Sequence, residues 1–374
     1  MVKLFAISLI AVFFAYQSEK YTRAAAAYGY TYSPRNDKAL IMLIIALTLF
    51  AGLRTQYNDT TAYINGFNNA PGLTEFLSVR SNWNPFTNPL FYLYQSFLKT
   101  IGCSAQVLIF TTSLFTQTCF ILFFKRYSKD FLFSVFIYFT LGTFCVSLAA
   151  IKQVSAMALL TRAFIHLEKR HWKRFYLIVI IAALVHTYAL SFAILPFFTT
   201  RTWKAATYIL LGGTLLVLYN FRDVISGFME EANELGKTLA DYEVFDSYTV
   251  NVLRILVYLV PPLISFVFRK WLYRDSSPIE NALSHMTVIS FCFMLMGSQA
   301  GANMFARMAH YFEIGTICVL PWLVQKPFVR DSYRVIVSVA VVCFSVYFVY
   351  AYGVNSSFDE EYRAAILFAD YLTY

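Results

Sequence analysis

Ionisable side chains at the rims of long apolar runs are the residues of this sequence best suited to chemistry. A charge held at the edge of a hydrocarbon layer costs free energy and usually faces a wet, functional interior. Four places qualify. In the first, Gly52-Leu53-Arg54-Thr55-Gln56-Tyr57-Asn58-Asp59-Thr60-Thr61-Ala62-Tyr63, an apolar run ends and a polar segment begins. Arg54 offers a planar fork for phosphate or carboxylate oxygens, Asp59 could accept a proton, and Tyr63 falls one helical turn beyond Asp59. Arg54 and Asp59 could equally pair with each other and cap the helix.

The second place is Ala150-Ile151-Lys152-Gln153-Val154-Ser155-Ala156. Helical spacing puts Lys152, Gln153 and Ala156 on one face, where a cation and an amide would suit an anionic or hydroxyl-rich ligand. Lys152 could also reach back to lipid headgroups. His186 is the third, set between Val185 and Thr187, and could act as a general base near neutral pH or as a hydrogen-bonded structural histidine. The fourth is a pair of helix starts, with Asn251, Arg254 and Tyr258 on one face of the first helix and Asn303, Arg307, His310 and Tyr311 on one face of the second. Arginines directed into one cavity would clamp a diphosphate, since each fork neutralises charge and positions oxygens. Glu313 lies near this stripe but is rotated off it, and ranks below Asp59 and His186 as a base.

These residues must be positioned by membrane helices. The chain has 374 residues, is 59% hydrophobic and only 14% charged, which excludes an ordinary soluble globule. A net charge of +9 could suggest nucleic acid, but Lys and Arg lie between apolar runs instead of along a solvent-facing stripe. The six cysteines show no CxxC or Cys/His spacing for zinc, so neither a metal site nor a disulfide framework is expected. Apolar runs recur at about 2–17, 38–53, 105–124, 131–148, 150–168, 204–219, 251–268, 281–298, 303–325 and 333–351. The first reads as a membrane helix and not a signal peptide, for want of a cleavage signature. The stretch 174–199 is long for one span and reads as two shorter elements meeting near His186, while 88–102 is expected in the membrane interface. The expected fold is all-α: a single polytopic integral membrane domain over 1–374 with about 10–13 transmembrane helices.

Six basic groups fall on one side of this arrangement, the expected cytoplasmic side: Lys20 to Lys38, Lys125 to Lys129, Lys169 to Arg174, Arg201 with Lys204, Arg269 to Arg274, and Lys326 to Arg334. The opposite side receives two larger extracytoplasmic loops, 54–104 and an acidic 220–250, the latter expected to be a solvated face.

Arg54 with Asp59 and Tyr63 after Gly52, Lys152-Gln153 before Ala156, His186 opening an apolar helix, and Arg307 with Tyr311 before Pro321 together resemble the EpsG-like family of exopolysaccharide and O-antigen polymerases. The resemblance runs from about 40 to 325, carried by the order and spacing of short motifs. It departs from the family pattern in having Lys152 where Arg usually precedes the Gln, and in lacking the usual glycine before Asp59. Lys keeps the charge but loses the bidentate fork.

What the resemblance implies is a Wzy-type polymerase with a GT-C-like fold, joining undecaprenyl-diphosphate-linked oligosaccharide repeat units at the outer face of the bacterial inner membrane. Such an enzyme works without metal or cofactor. Its implied partners are the lipid-linked oligosaccharide, membrane lipid, a flippase and a chain-length regulator, with no nucleic acid. Arg54, Arg254 and Arg307 would bind the diphosphate with help from Lys152; Asp59, or else His186, would accept the acceptor's proton. Tyr63, Gln153, His310 and Tyr311 would line the substrate, and Trp83, Tyr92 and Tyr94 could stack on sugar faces. A membrane O-acyltransferase acting on surface glycans and a flippase for lipid-linked oligosaccharides are the rival classes.

Overall fold

The computed structural model of the protein describes residues 1–28, 30–221, 250–299, 303–328, 330–354 and 358–365, with 303, 330 and 331 described by backbone alone. The acidic residues expected in the second large loop, Asp223 through Asp246, lie outside the described residues. What is described is almost wholly helical, as an apolar sequence must be where lipid offers the backbone no hydrogen-bond partner. The protein is an all-α polytopic membrane protein. Among the described residues four helical stretches are long and apolar enough to cross a bilayer: Val2–Ala27, Ala105–Tyr127, Pro278–Met296 and Ser332–Val354. A bent pair, Phe131–Thr140 with Thr143–Ala149, raises this to five. The other apolar runs of the expected ten to thirteen form shorter helices or carry more polar residues.

The chain gathers into two compact units: residues 1–80, 90–161 and 334–374 in the first, and 81–89 with 162–333 in the second. In the first unit, α1 (Val2–Ala27) packs on α2 (Lys38–Gly52), and α2 packs on α6 (Ala105–Tyr127). The helix α1 runs ten residues past its expected end. Lys20 and Arg23 therefore lie on helix and not in a loop, with Arg23 paired to Glu19 one turn earlier. Between α2 and α6 come β1 (Arg54–Gln56), α3 (Thr60–Asn68), α4 (Leu73–Ser78) and α5 (Pro89–Thr100). At twelve residues α5 spans roughly 18 Å, too short to cross a hydrocarbon core, which agrees with an interfacial helix.

The run 131–148 was expected as one helix and is broken. The segments α7 (Phe131–Thr140) and α8 (Thr143–Ala149) meet at 56°. The cause is Gly142, whose φ of +92° lies in the left-handed region, and a Cβ there would collide with the Tyr352 hydroxyl. After α9 (Ile151–Glu168), a short antiparallel pairing, unforeseen in the sequence, ties β1 to β2 (Arg363–Ala364) near the far end of the chain.

In the second unit, α10 (Trp172–Val185) ends at His186 and is followed by a 3-10 helix, Thr187–Phe198. The 174–199 stretch is thus two elements, with His186 at their junction. Next come α11 (Ala205–Tyr219), α12 (Val252–Val267), the short α13 (Arg269–Leu272), α14 (Pro278–Met296) and α15 (Asn303–Gln325). The last two form the most extensive helix pair, and α12 packs on both. From Arg330 follow α16 (Arg330–Val349) and α17 (Phe358–Glu361), which from residue 334 onward belong to the first unit and precede β2.

Basic groups gather within each unit. In the first, Lys125 Nζ donates to Ser18 Oγ at 2.8 Å and lies 3.9 Å from Asp37, whose carboxylate also accepts from Ser18 Oγ at 2.6 Å and caps α2 through Leu40 N–H. In the second, Arg201 donates to the Arg274 carbonyl at 3.0 Å and Lys326 to the Leu272 carbonyl at 2.8 Å, which brings three basic groups to one end.

Because the α7–α8 break rests on one glycine, Gly142→Ala adds left-handed strain of about 1–2 kcal/mol and pushes against Tyr352. The purified variant is expected to melt several degrees below wild type in the same detergent; an unchanged melting temperature would show that the break does not depend on this residue.

Candidate functional site

In the first unit the site begins where α2 ends. Arg54 follows Gly52 by two residues and is wholly buried. Its Nη1 donates to the Ala51 carbonyl and to Ser113 Oγ at 3.2 Å, and its Nε donates to Thr60 Oγ1 at 3.1 Å. Thr60 in turn donates to the Tyr57 carbonyl at 2.6 Å, so the N-terminus of α3 is fastened to the guanidinium. Gln106 on α6 donates to the carbonyls of Gly52 and Arg54 at 2.6 and 3.2 Å. The fork is oriented by neutral groups only. Among the described residues no carboxylate pairs with Arg54, and its Nη2 is buried with no hydrogen-bond partner. Burial pulls the guanidinium down to about 10, which still leaves it charged at neutral pH.

Asp59 does not pair with Arg54. It sits at the N-cap position of α3, exposed, without a capping bond from its side chain. The capping-pair alternative therefore falls, and the residue is exposed at the start of α3. Tyr63, one turn on, meets the second sequence cluster: its hydroxyl accepts from Lys152 N–H at 3.5 Å. Lys152 Nζ donates to Tyr92 Oη at 3.2 Å and lies 5.2 Å from the centre of that ring and 5.9 Å from that of Phe91. The ammonium is thus held on an aromatic face and not extended away from the protein. Gln153 beside it is buried. Tyr94, expected to meet sugars, directs its hydroxyl to Thr111 at 2.7 Å.

In the second unit His186 is fixed at the junction of two helices in an extended conformation. Asn88 braces that junction, accepting from Thr187 N–H at 3.1 Å. The His186 ring stacks on Tyr311, with Nδ1 2.6 Å from its hydroxyl, and meets Tyr188 edge-on at 5.2 Å. A phenol can donate to Nδ1 or accept from it, and only the second tautomer leaves a lone pair on Nε2 for proton abstraction.

The stripes on α12 and α15 do meet. Arg254 Nη2 lies 3.1 Å from His310 Nε2, while His310 Nδ1 contacts Glu313 Oε2. Tyr258, one turn along α12 from Arg254, donates to that same oxygen. Glu313 is fully buried, and its place at the centre of the network raises it above its rank in the sequence. Its spacing of three from His310 was the available signal. Arg307 is half-buried on α15, one turn before Tyr311. Asn303 has no described side chain.

Both clusters sit far from the basic ends of their units. Arg54 follows the C-terminal end of α2, whose N-terminus holds Asp37 and Lys125, roughly 22 Å away along the helix. Arg307 precedes Lys326 along α15 and the turn after it by roughly 28 Å.

A polytopic α-helical membrane protein with buried or half-buried arginines, a stacked histidine and tyrosine, and an Arg–His–Glu chain is what the fold and residues define. The chain belongs to the EpsG family, whose sequence model matches residues 38–364. That family points to exopolysaccharide biosynthesis. No curated protein and no solved structure matches the chain.

An uncompensated buried cation costs several kcal/mol, which an anion would recover. Inorganic pyrophosphate is therefore expected to raise the melting temperature of the wild type by mass action. Arg54→Met should remove most of that rise and melt within a few degrees of wild type without ligand, since relief of the buried charge offsets the lost hydrogen bonds. An undiminished pyrophosphate shift in Arg54→Met would exclude Arg54 as the anion's contact.

Proposed function

We propose that the protein is a Wzy-type polysaccharide polymerase, joining undecaprenyl-diphosphate-linked oligosaccharide repeat units at the outer face of the inner membrane. The observation that carries this reading is the Arg54 guanidinium, charged, buried and without a carboxylate partner among the described residues. A cation so placed suits a polyanionic ligand, and it lies in the family's matched region.

In the reaction, an acceptor sugar hydroxyl attacks the anomeric carbon of the donor. The bond from that carbon to the diphosphate oxygen breaks, and undecaprenyl diphosphate leaves with the electron pair. The leaving group is already stable as an anion, so its departure calls for positive charge more than for an acid. The groups put forward for that work are Arg54 and Lys152 in the first unit, and Arg254 and Arg307 in the second. The acceptor proton goes to Asp59, exposed at the start of α3, or to His186, whose ring Tyr311 orients. Tyr63 and Gln153 in the first unit, and His310 and Tyr311 in the second, are put forward as substrate-binding residues. Contact with Nη2 of Arg54 requires local opening, since that atom is closed off as it stands. A flippase would supply the lipid-linked unit and a chain-length regulator would act on the product.

The test is deletion of the gene with gel analysis of the surface polysaccharide, complemented by wild type, Arg54→Ala, Arg307→Ala, Asp59→Ala and His186→Ala. The deletion and the arginine variants are expected to accumulate single repeat units at normal protein levels. Of Asp59→Ala and His186→Ala, the one that carries the base should lower polymer at least about 100-fold. Undiminished long-chain polymer in the deletion would remove the polymerase reading; normal chain length with altered acylation would favour the acyltransferase.

A further inference from the structure

The elements that close in the Arg54 guanidinium are not equivalent. Its donors go to Ala51 at the end of α2, to Ser113 on α6 and to Thr60 on α3, so moving any of those breaks a bond that orients the fork. A further neighbour, the segment 358–365, meets Arg54 in another way. Ala364 lies opposite Arg54 in the β1–β2 pairing, and Ala365 N–H donates to the Leu53 carbonyl at 3.0 Å. Of the phenols around the guanidinium, Tyr362 interacts with its charge more strongly than Tyr63 or Tyr57. The Tyr362 hydroxyl donates to the Phe50 carbonyl at 2.6 Å, and no side chain of the segment accepts from the guanidinium.

The segment is held down by contacts of its own. Phe358 and Tyr362, both buried, stack on Phe50 with ring centres 6.5 and 4.5 Å away. The Asp359 carboxylate accepts from Val2 N–H at 2.5 Å and from Lys3 N–H at 3.1 Å, first-turn donors of α1 that have no partner within their own helix. Lys3 Nζ donates to the carbonyls of Asp359 and Tyr362 at 3.2 and 2.9 Å. Glu360 and Ala365 are exposed, so the segment lies at the surface of the first unit. Beneath it, Nη2 of Arg54 stays buried without a partner, a state that costs free energy and that an anion would relieve.

We propose that residues 358–365 form a strap over Arg54, and that its release from α1 and α2 admits the diphosphate of a lipid-linked substrate to the guanidinium. This rests on the polymerase reading of the site. Release breaks no bond made by the guanidinium, so the fork stays oriented by α2, α3 and α6 when the strap lifts. The apparent affinity for the anion is its intrinsic affinity scaled by the fraction of molecules that are open. Loosening the strap therefore tightens binding, and fastening it weakens binding.

The test uses the full chain in detergent with inorganic pyrophosphate as the probe, measuring affinity and melting temperature. Gln56 lies opposite Arg363 in the strand pair, so Gln56→Cys with Arg363→Cys sets two thiols at a separation that a disulfide bridges. Cys103 and Cys343, the native cysteines that are not buried, are replaced by serine. The oxidised protein is expected to bind pyrophosphate at least about tenfold more weakly than the same protein reduced. Asp359→Ala, which uncaps the first turn of α1, and Tyr362→Phe, which removes the bond to Phe50, are each expected to melt lower yet bind about fivefold more tightly than wild type. A segment that only stabilised the unit would lower affinity along with stability. Equal affinity in the oxidised and reduced forms, or loosened variants that bind no more tightly than wild type, overturns the strap; where Arg54→Met still loses binding, the diphosphate reading stands. Wild-type affinity in Arg54→Met, or no binding by the wild type, removes Arg54 as the anion's contact and the strap with it. If no disulfide forms, the loosened variants decide alone, and if Asp359→Ala does not fold, Tyr362→Phe decides.

Discussion

Keeping a guanidinium charged inside an apolar unit, with only neutral oxygens around it, is the constraint from which the first unit is built. Arg54 cannot reach water, and among the described residues it meets no carboxylate. Its donors go instead to the last turn of α2, to Ser113 on α6 and to Thr60 at the start of α3. Three elements are thus fastened by one side chain, and Gln106 fastens the backbone on either side of Leu53. Such a cradle orients the charge without neutralising it. A structural arginine in a low-dielectric interior is normally met by an acid, because the unpaired ion is so costly.

The second unit arranges its arginine differently. Its acid is present, but the imidazole of His310 stands between Glu313 and Arg254. In the second unit, as in the first, polar side chains orient the arginine. In both units, too, the basic residues expected at a cytoplasmic face collect at the far ends of the same helices. Charges of two kinds are therefore sorted along the helix axes: those at one end meet carbonyls, hydroxyls and Asp37, and those at the other are arranged around polar side chains. Positive charge at the first end fits the distribution of Lys and Arg read from the sequence.

Much of this was legible in the sequence because hydrophobicity and helical spacing are local. Apolar runs gave the helices, and spacings of three and four put Arg254 with Tyr258, and Arg307 with His310 and Tyr311, on their stripes. The break of 174–199 at His186 was visible for the same reason. What was hidden depends on contacts between distant residues. Nothing near His186 in the sequence announces Tyr311, which orients its ring from 125 positions away. The pairing of β1 with residues 363–364 joins segments some 300 apart and has no periodic signal. Gly142 was legible as a glycine, but a glycine in an apolar run is compatible with a continuous helix, and only its positive φ ends α7. Glu313 stands out little in the sequence, since position on a helical wheel says which way a side chain leaves its own helix and nothing about what a neighbouring helix brings to it.

The substitution of Lys152 for the expected arginine can be understood from its surroundings. A lysine gives up the planar fork, and an ammonium in isolation is a mobile point charge. Here Tyr92 supplies a hydroxyl at 3.2 Å and, with Phe91, two ring faces, so the direction that an arginine would carry in its own geometry comes from the pocket. Tyr63 adds a bond to the Lys152 backbone, linking α9 to the polar segment that begins at Arg54. A point charge fixed in this way has a set direction even without a planar fork. The fork geometry is retained at Arg54, Arg254 and Arg307, where no aromatic cradle is required to give the cation a direction.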